Sequence, residues 1–542
     1  MAATFADKLL TTLENCGPHF SCHLQPLGSG HSGRAVMPSE VLVRKGLGRT
    51  SRNCLISRLP ESWLAPPGFE ALALPMHLIC FARFAPAMST LLPEEQLERG
   101  LGLSEAVALN MNAMVGIGPF IVIPLVIQAM GGPQCLLAWL AGAVLSLLDG
   151  LVWAELGAAM PRAGGTYAFL REIYGPGRGG RLMSFLYIWQ TLIQAPLVVA
   201  SGAIGFSQYL TYLIPLGTYQ QKAISAALVI FLIVLLYRRI SAVGLISKFL
   251  WIGVVGTMVW MIWGGATHFS AKMAFDFPPG AWNWSWLFFA GLGSASVNTV
   301  YTYLGYYHIC NLGAEIREPE RNIPRAILLS IAGIAVLYLA MQTSILGVVP
   351  WREAQNSQYI VSTFVERLYG ARAAAFATIM ILWIAFASLF TTLLSYSRVP
   401  FAAAEDGNFF PVFARVHPKK HFPHVSLLFL GAASLAFSVL FRLSSVIKAI
   451  IAVRVIVQFI SQGVGVMILR RRWPPERLPF KMWLYPWPAV LAILGWVALF
   501  YSTELKFALG GLGVIALGIL TYMIQARYRR IWPFAASAEA QQ

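Results

Sequence analysis

After Leu103 the chain contains twelve stretches of mostly apolar residues, each long enough to cross a bilayer, and that series restricts what it can fold into. A span needs about 20 such residues, and within hydrocarbon a helix can satisfy its own backbone. The stretches, numbered here as spans 1 to 12, fall at 103–130, 135–160, 181–212, 220–237, 241–264, 285–313, 324–349, 373–404, 424–441, 446–469, 483–501 and 507–526. A soluble α/β enzyme of this length would instead alternate short apolar strands with amphipathic helices. Composition agrees, since 57% of residues are hydrophobic and 12% charged, about half the charged share of an average soluble domain. Much of such a surface must face lipid. The fold expected is an all-α polytopic membrane protein with twelve transmembrane helices.

The formal charge of +17 at pH 7 first suggests nucleic acid, but its placement argues otherwise. With the loop after span 2 set inside, the inner loops and C-terminal tail carry Arg162, Arg171, Arg178 and Arg181, then Arg317, Arg321 and Arg325. Arg398, Arg415, Lys419, Lys420, Arg470, Arg471, Arg472, Arg527, Arg529 and Arg530 add to them. The outer loops hold a sparser set, among them Lys222, Lys272, Arg352 and Lys506. This is the positive-inside asymmetry, and it predicts a multi-pass protein of the cell membrane with both termini cytoplasmic. Lipid explains the basic balance, and no nucleic-acid partner is required. Cys16, Cys22, Cys54 and Cys80 precede the first span and only Cys135 and Cys310 follow, so the sequence has no disulfide framework and no metal-ligand spacing. No cofactor is implied.

Residues 1–98 mix Gly, Pro and charge without a sustained period, and no secretory signal is evident. Met88 opens a stretch that reads like a natural start, so what precedes it is either a wrongly assigned start or a poorly structured extension. Residues 99–470 form a ten-helix core, 471–530 add two further spans, and 531–542 are a cytoplasmic tail. Thr166–Tyr174 and Phe409–Phe413 read as short surface-packing segments at the inner face.

Two spans carry interruptions. Span 1 reads Asn112-Ala-Met-Val-Gly116-Ile-Gly118-Pro119-Phe120, and span 6 reads Tyr301-Thr-Tyr-Leu-Gly305-Tyr-Tyr307. Glycine permits non-helical backbone, proline gives no amide to the preceding turn, and proline fits the first turn of a new helix. Span 1 is therefore expected to stop near Met114 and restart near Pro119. In one span this pattern is explained by close helix packing. In the first spans of two successive five-span sets it points to a transporter's midplane site.

The residues then resemble a known family, the amino acid–polyamine–organocation transporter superfamily, over nearly all of the chain after Glu98. Gly116 and Gly118 match its Gly-x-Gly break, although Ile117 and Pro119 stand where a small hydroxyl residue and Ile are usual. Ala154-Glu155-Leu156, Pro161-Arg-Ala-Gly-Gly-Thr-Tyr167 and Leu170-Arg-Glu-Ile-Tyr-Gly-Pro176 match the end of span 2 and the segment leading into span 3. Glu315-Ile-Arg-Glu-Pro319 with Arg321-Asn-Ile-Pro-Arg325 matches the loop after span 6. Ser397-Arg398, Ala404-Glu-Asp-Gly407 and Pro411 match the loop after span 8. The resemblance implies a five-plus-five inverted repeat with broken helices 1 and 6.

It also implies a secondary active transporter with an amino acid or related amine lying between the breaks. Amides at the start of a half-helix attract an anion, which makes Gly116, Ile117 and Gly118 candidates for the substrate carboxylate. Carbonyls of Ala113 or Met114 and of Tyr301 or Leu304, beside Gly305, are candidates for the ammonium, and Tyr301 matches the family's aromatic gate. Where the family often has Gly-Phe-Glu, this chain has Gly305-Tyr306-Tyr307-His308. The missing acid argues against cationic substrates and favours neutral amino acids.

Two cations, Lys248 and Arg454, fall deep inside spans. Arg454 in span 10 is followed by Gln458 and Gln462 at helical spacing, a stripe that should face the bundle interior as a gate or as a structural ion pair, with Asp149 the partner considered. Lys248 in span 5 either snorkels to the inner surface or, as the resemblance implies, ties span 1 to span 8. Burial there would let it release a proton, giving sodium-independent, proton-coupled transport or exchange. An enzyme is not expected, because Asp149 and Glu155 fall on different faces of span 2 and the nine histidines show no ligand spacing. The alternatives to an amino acid carrier are a polyamine or organic-amine permease, or a nutrient sensor or channel on the same fold. No obligate protein partner is indicated.

Overall fold

The computed structural model describes residues 97–357, 359–440, 454–503 and 505–534, together with three short strands nearer the N-terminus. These strands, β1 (Phe20–Cys22), β2 (Leu42–Lys45) and β3 (Cys54–Leu55), pair antiparallel in the order β1-β2-β3. They are the described part of the segment read as poorly structured. The rest of that segment before Leu97, Met88 included, lies outside the described residues, as do residues 446–453 of span 10.

From Leu103 to Arg529 the described elements are helical. Span 1 divides into α1 (Leu103–Met114) and α2 (Gly118–Met130), bent by 47° at the break. Span 2 is α3 (Leu136–Ala159), and the segment after it is α4 (Thr166–Ile173). Spans 3, 4 and 5 are α5 (Gly179–Leu210), α6 (Thr218–Leu236) and α7 (Ile240–Thr267). Span 6 divides into α8 (Trp286–Tyr303) and the single turn α9 (His308–Asn311). Then come α10 (Pro319–Val348), α11 (Ile360–Tyr369), α12 (Ala371–Tyr396), α13 (Arg398–Glu405) and α14 (His424–Leu440). A π-helical stretch, Val455–Ile460, leads into α15 (Ser461–Arg472), followed by α16 (Trp487–Ser502) and α17 (Leu505–Arg529).

Among the described residues seven helices are long and apolar enough to cross a membrane, and the bent α1–α2 pair makes an eighth. α14 and α16 are apolar but shorter. Leu245, Phe249 and Ile252 along one face of α7 are each about two-thirds exposed, a ridge that lipid covers and water would not tolerate as a continuous surface. The chain is a multi-pass membrane protein.

The segment Phe409–Phe413, read as surface packing, ends in a 3₁₀ turn, Pro411–Ala414, because Pro411 fits a first turn but the run is too short to extend. The helix α11 was not foreseen, since ten residues with charge on one side lack the length of a span. Its buried face is Ile360, Val361, Phe364 and Val365.

The family-like motifs meet at one end of the bundle. Arg398 grips Glu315 through Nε (2.9 Å) and Nη2 (2.6 Å), with both side chains almost wholly buried. Glu155 receives Nε and Nη2 of Arg470 at 2.6 and 2.7 Å and the Met482 amide at 2.8 Å. Arg171 pairs with Asp406. The strand-like entry to α1 is bonded to the same loop, Leu101 N to Glu315 O at 3.0 Å and Arg317 N to Leu101 O at 2.8 Å.

Removing one partner of a buried pair leaves the other charge unpaired, which costs about 3–5 kcal/mol. Arg398→Ala is therefore predicted to lower the thermal unfolding midpoint of detergent-solubilised protein sharply, and Arg352→Ala, at an exposed pair with Asp276, to leave it nearly unchanged. Equal midpoints for the two variants would contradict the structural role given to Arg398.

Candidate substrate site

The two breaks touch. Gly305, at φ +135°, sits so close to α1 that a Cβ built there would lie 2.8 Å from the Ala113 carbonyl carbon and from the Met114 amide. A backbone that leaves the helix in a span must be satisfied by neighbours, and here each break satisfies the other. Asn110 of α1 donates through Nδ2 to Tyr306 O (2.7 Å) and accepts the Ile309 amide at Oδ1 (3.1 Å). From α10, Tyr338 Oη lies 2.9 Å from Met114 O and 3.2 Å from Thr302 O, so one hydroxyl serves the ends of both first halves. Ser388 of α12 donates to Ala113 O at 3.3 Å.

Not everything is met. Among the described residues no hydrogen bond is made by the amides of Ile117 and Gly118 or by the carbonyl of Leu304. Pro119 has no amide to give, and it stands in the first turn of α2. The start of α2 thus presents free N–H groups at the positive end of a helix dipole.

These atoms border a cavity with ≈ 690 Å³ of empty space, the open solvent at its mouth included. Its walls come from the ends of α1 and α8, the start of α2, α5, α12 and Arg454. Ala113, Met114, Gly116, Ile117, Gly118, Tyr301 and Leu304 all line it. Tyr301 lies over the α2 start, its Cε1 3.1 Å from where a Gly118 Cβ would stand. Gly305 does not line the cavity; its role is the close approach of the two breaks.

Sequence reasoning missed the α12 wall, Ala385, Ser388, Leu389, Thr392 and Tyr396. Their spacing places them on one helix face, and small or hydroxyl residues recurring at that spacing in an apolar run were the available signal. It also missed Tyr307 and His308, which line the cavity beyond Gly305.

Arg454 is 3% exposed and lines the same cavity. Nε donates to Gln458 Oε1 at 3.0 Å and Nη2 to Tyr307 Oη. Gln194 of α5, with its amide oxygen turned toward the guanidinium, accepts from Nη1 and Nε at 3.2 Å. Gln458 and Gln462, which follow Arg454 at helical spacing, are also fully buried, and Gln462 Nε2 reaches Thr166 Oγ1 at 3.2 Å. Asp149, however, is not the partner of Arg454. Its carboxylate accepts from Tyr306 Oη (2.5 Å), Trp153 Nε1 (2.9 Å) and Trp496 Nε1 (3.1 Å).

Lys248 also differs from expectation. It pairs with Glu105 in the first turn of α1, Nζ to Oε1 2.6 Å, and its side chain is 37% exposed. Span 5 meets span 8 through Trp383 Nε1, which donates to Leu250 O at 3.1 Å. The ion pair of Lys248 is thus made to span 1.

A family model described as amino acid permease matches residues 101–524. The chain belongs to the amino acid permease family. The permease is 27% identical to the serine/threonine exchanger SteT of Bacillus subtilis, over 74% of this chain and 90% of that protein. It is 24% identical to the branched-chain amino acid permease BcaP of the same organism, over 80% and 94% respectively. Against cationic amino acid transporter 4 of Mus musculus it is 26% identical, over 73% of this chain and 65% of the relative. All three are amino acid transporters of the amino acid–polyamine–organocation superfamily. Cys135 and Cys310 are free and buried, and no metal-ligating cluster occurs among the described residues.

Because the backbones at Gly305 and Ala113 leave no room for a methyl group, Gly305→Ala is predicted to abolish amino acid uptake while the protein still reaches the membrane. Uptake by Gly305→Ala within twofold of wild type would show that the close approach of the breaks is dispensable.

Proposed function

We propose that the permease is a secondary active transporter of amino acids that binds its substrate between the two helix breaks. The observation that carries this reading is the pair of unmet amides, Ile117 and Gly118, at the start of α2, inside a cavity that also holds the ends of α1 and α8. The substrate carboxylate docks on those amides, with Gly116 keeping the approach open. The ammonium goes to carbonyls with capacity left, Leu304 and Ala113, rather than to Met114, whose carbonyl already receives Tyr338 Oη and the Gly116 amide.

The reading includes twelve spans in a five-plus-five inverted repeat. Supporting it, the α1–α2 and α8–α9 breaks are the first spans of successive five-span sets, and α14, α15 and α16 fall where the shorter spans are needed. It includes cytoplasmic termini and the cell membrane, on the basic inner loops. The end holding Arg398–Glu315 and the Leu101 bridge would then be the cytoplasmic gate, and those contacts separate when the site opens inward. Coupling is proposed to be sodium-independent, by proton or by exchange, because the cations Lys248 and Arg454 already stand beside α1 and the cavity.

In liposomes holding purified protein, saturable uptake of amino acids is predicted, unaffected by replacing sodium with choline. Gly116→Leu, which drives a side chain into Ser388 Oγ, 2.8 Å from the Cβ position, should abolish that uptake without loss of protein. Strict sodium dependence would overturn the coupling proposal, and intact uptake by Gly116→Leu the site.

A further inference from the structure

We infer that Arg454 makes the permease selective for amino acids with an anionic side chain. The inference rests on the substrate site proposed above and names the class of substrate that site accepts.

A guanidinium in a membrane interior is costly unless paired. Every acceptor that Arg454 meets among the described residues is neutral: Tyr307 Oη, Gln458 Oε1 and the Gln194 amide oxygen. The rings of Tyr307 and Phe459, 5.1 and 5.8 Å from its Cζ, add only a face of π-electrons. The buried carboxylates are committed elsewhere, Asp149 to Tyr306, Trp153 and Trp496, Glu155 to Arg470 and Glu315 to Arg398. Residues 441–453, immediately before Arg454, contain no Asp or Glu. The cavity therefore carries a fixed positive charge that no described side chain balances.

The surroundings suit an anion. Arginine offers five N–H donors in a planar fork that fits a carboxylate. Tyr307 Oη accepts from Arg454, and among the described residues nothing accepts its own proton, which leaves that hydroxyl to donate to the same anion. The amides at the start of α2 already take the α-carboxylate, so Arg454 is left for a second anionic group. A neutral side chain would leave the guanidinium uncompensated, and a lysine or polyamine would add a like charge in a medium of low dielectric. This reverses the preference for neutral substrates expected from the sequence and excludes the polyamine alternative.

The test is uptake by the full-length protein in liposomes of glutamate, aspartate, glutamine, asparagine, leucine and lysine. Glutamate or aspartate should exceed its own amide in kcat/KM by about ten- to a hundredfold, the value of a charge-assisted contact, with lysine not transported. Arg454→Gln should erase the acid-over-amide ratio, and Arg454→Lys should keep part of it. A merely structural arginine would lower all substrates together and leave the ratio alone. Amides or leucine transported as well as the acids by the wild type would overturn the inference while leaving the amino acid site standing. No saturable uptake of any of the six would overturn the site reading and the inference with it. The wild-type ratio decides even where a variant fails to fold.

Discussion

A polypeptide that leaves the helix inside hydrocarbon has to find a partner for each backbone group it frees, and the permease's architecture is arranged around two such places. The breaks at 115–117 and 304–307 solve the problem jointly. Asn110 caps the second break from the first, and Tyr338 spans the ends of both. Gly305 allows the backbones to approach closely enough for this to work. On the far side, Ser395 Oγ takes up the His308 carbonyl at 3.1 Å and receives Asn311 Nδ2 at 3.0 Å. Among the described residues, the Ile117 and Gly118 amides and the Leu304 carbonyl make no hydrogen bond, and these residues border the cavity.

The same constraint links the cavity to the end of the bundle. Span 1 enters through Leu101, which is bonded on both sides of Ile316 to the loop after span 6, to Glu315 O and Arg317 N. Glu315 in turn is held by Arg398, where α12 gives way to α13. The start of span 1, the loop after span 6 and the end of span 8 are therefore one hydrogen-bonded unit. Displacing α1 without disturbing α12 would mean breaking either the Leu101 backbone bonds or the buried, bidentate pair. The glycines of Pro161-Arg-Ala-Gly-Gly-Thr serve this unit as well. Gly164 and Gly165 adopt φ +87° and +48°, and a Cβ on Gly165 would meet Asn311 Oδ1 at 2.4 Å.

Much of this was legible in the sequence, and the reason is physical. Helix breaks need glycine or proline, so the stop near Met114 and the restart near Pro119 fall within a residue of where α1 ends and α2 begins. A charge in an apolar run is conspicuous, and Arg454 stood out for that reason. Partners were not legible, because they depend on rotation and on contacts distant in sequence. Arg454 meets Tyr307, 147 positions away, and a helical pattern cannot say which way a tyrosine in a broken segment points. Lys248 concealed its partner for the same reason. Its neighbours in sequence are apolar, yet its side chain leaves them for Glu105 on another helix. The α12 wall was hidden because small and hydroxyl residues leave an apolar stretch looking like an ordinary span.

The placing of two adjacent tyrosines decides the electrical character of the cavity. In a continuous helix, neighbouring side chains are offset by about 100°, but Tyr306 and Tyr307 lie in the break and point to separate groups. Tyr306 Oη donates to Asp149, behind the break, while Tyr307 Oη receives Arg454, in the cavity wall. Between them Trp153 stacks on Tyr307 at 4.9 Å, and Phe459 on Trp496 at 4.0 Å. Aromatic surface and two phenols thus stand where a direct ion pair would otherwise form. Had Asp149 reached Arg454, the pair would have neutralised itself and the cavity would select by shape alone. With the acid held by three neutral donors on the α3 side, the guanidinium acts on the cavity as a single uncancelled charge, and a ligand entering it is sorted first by sign.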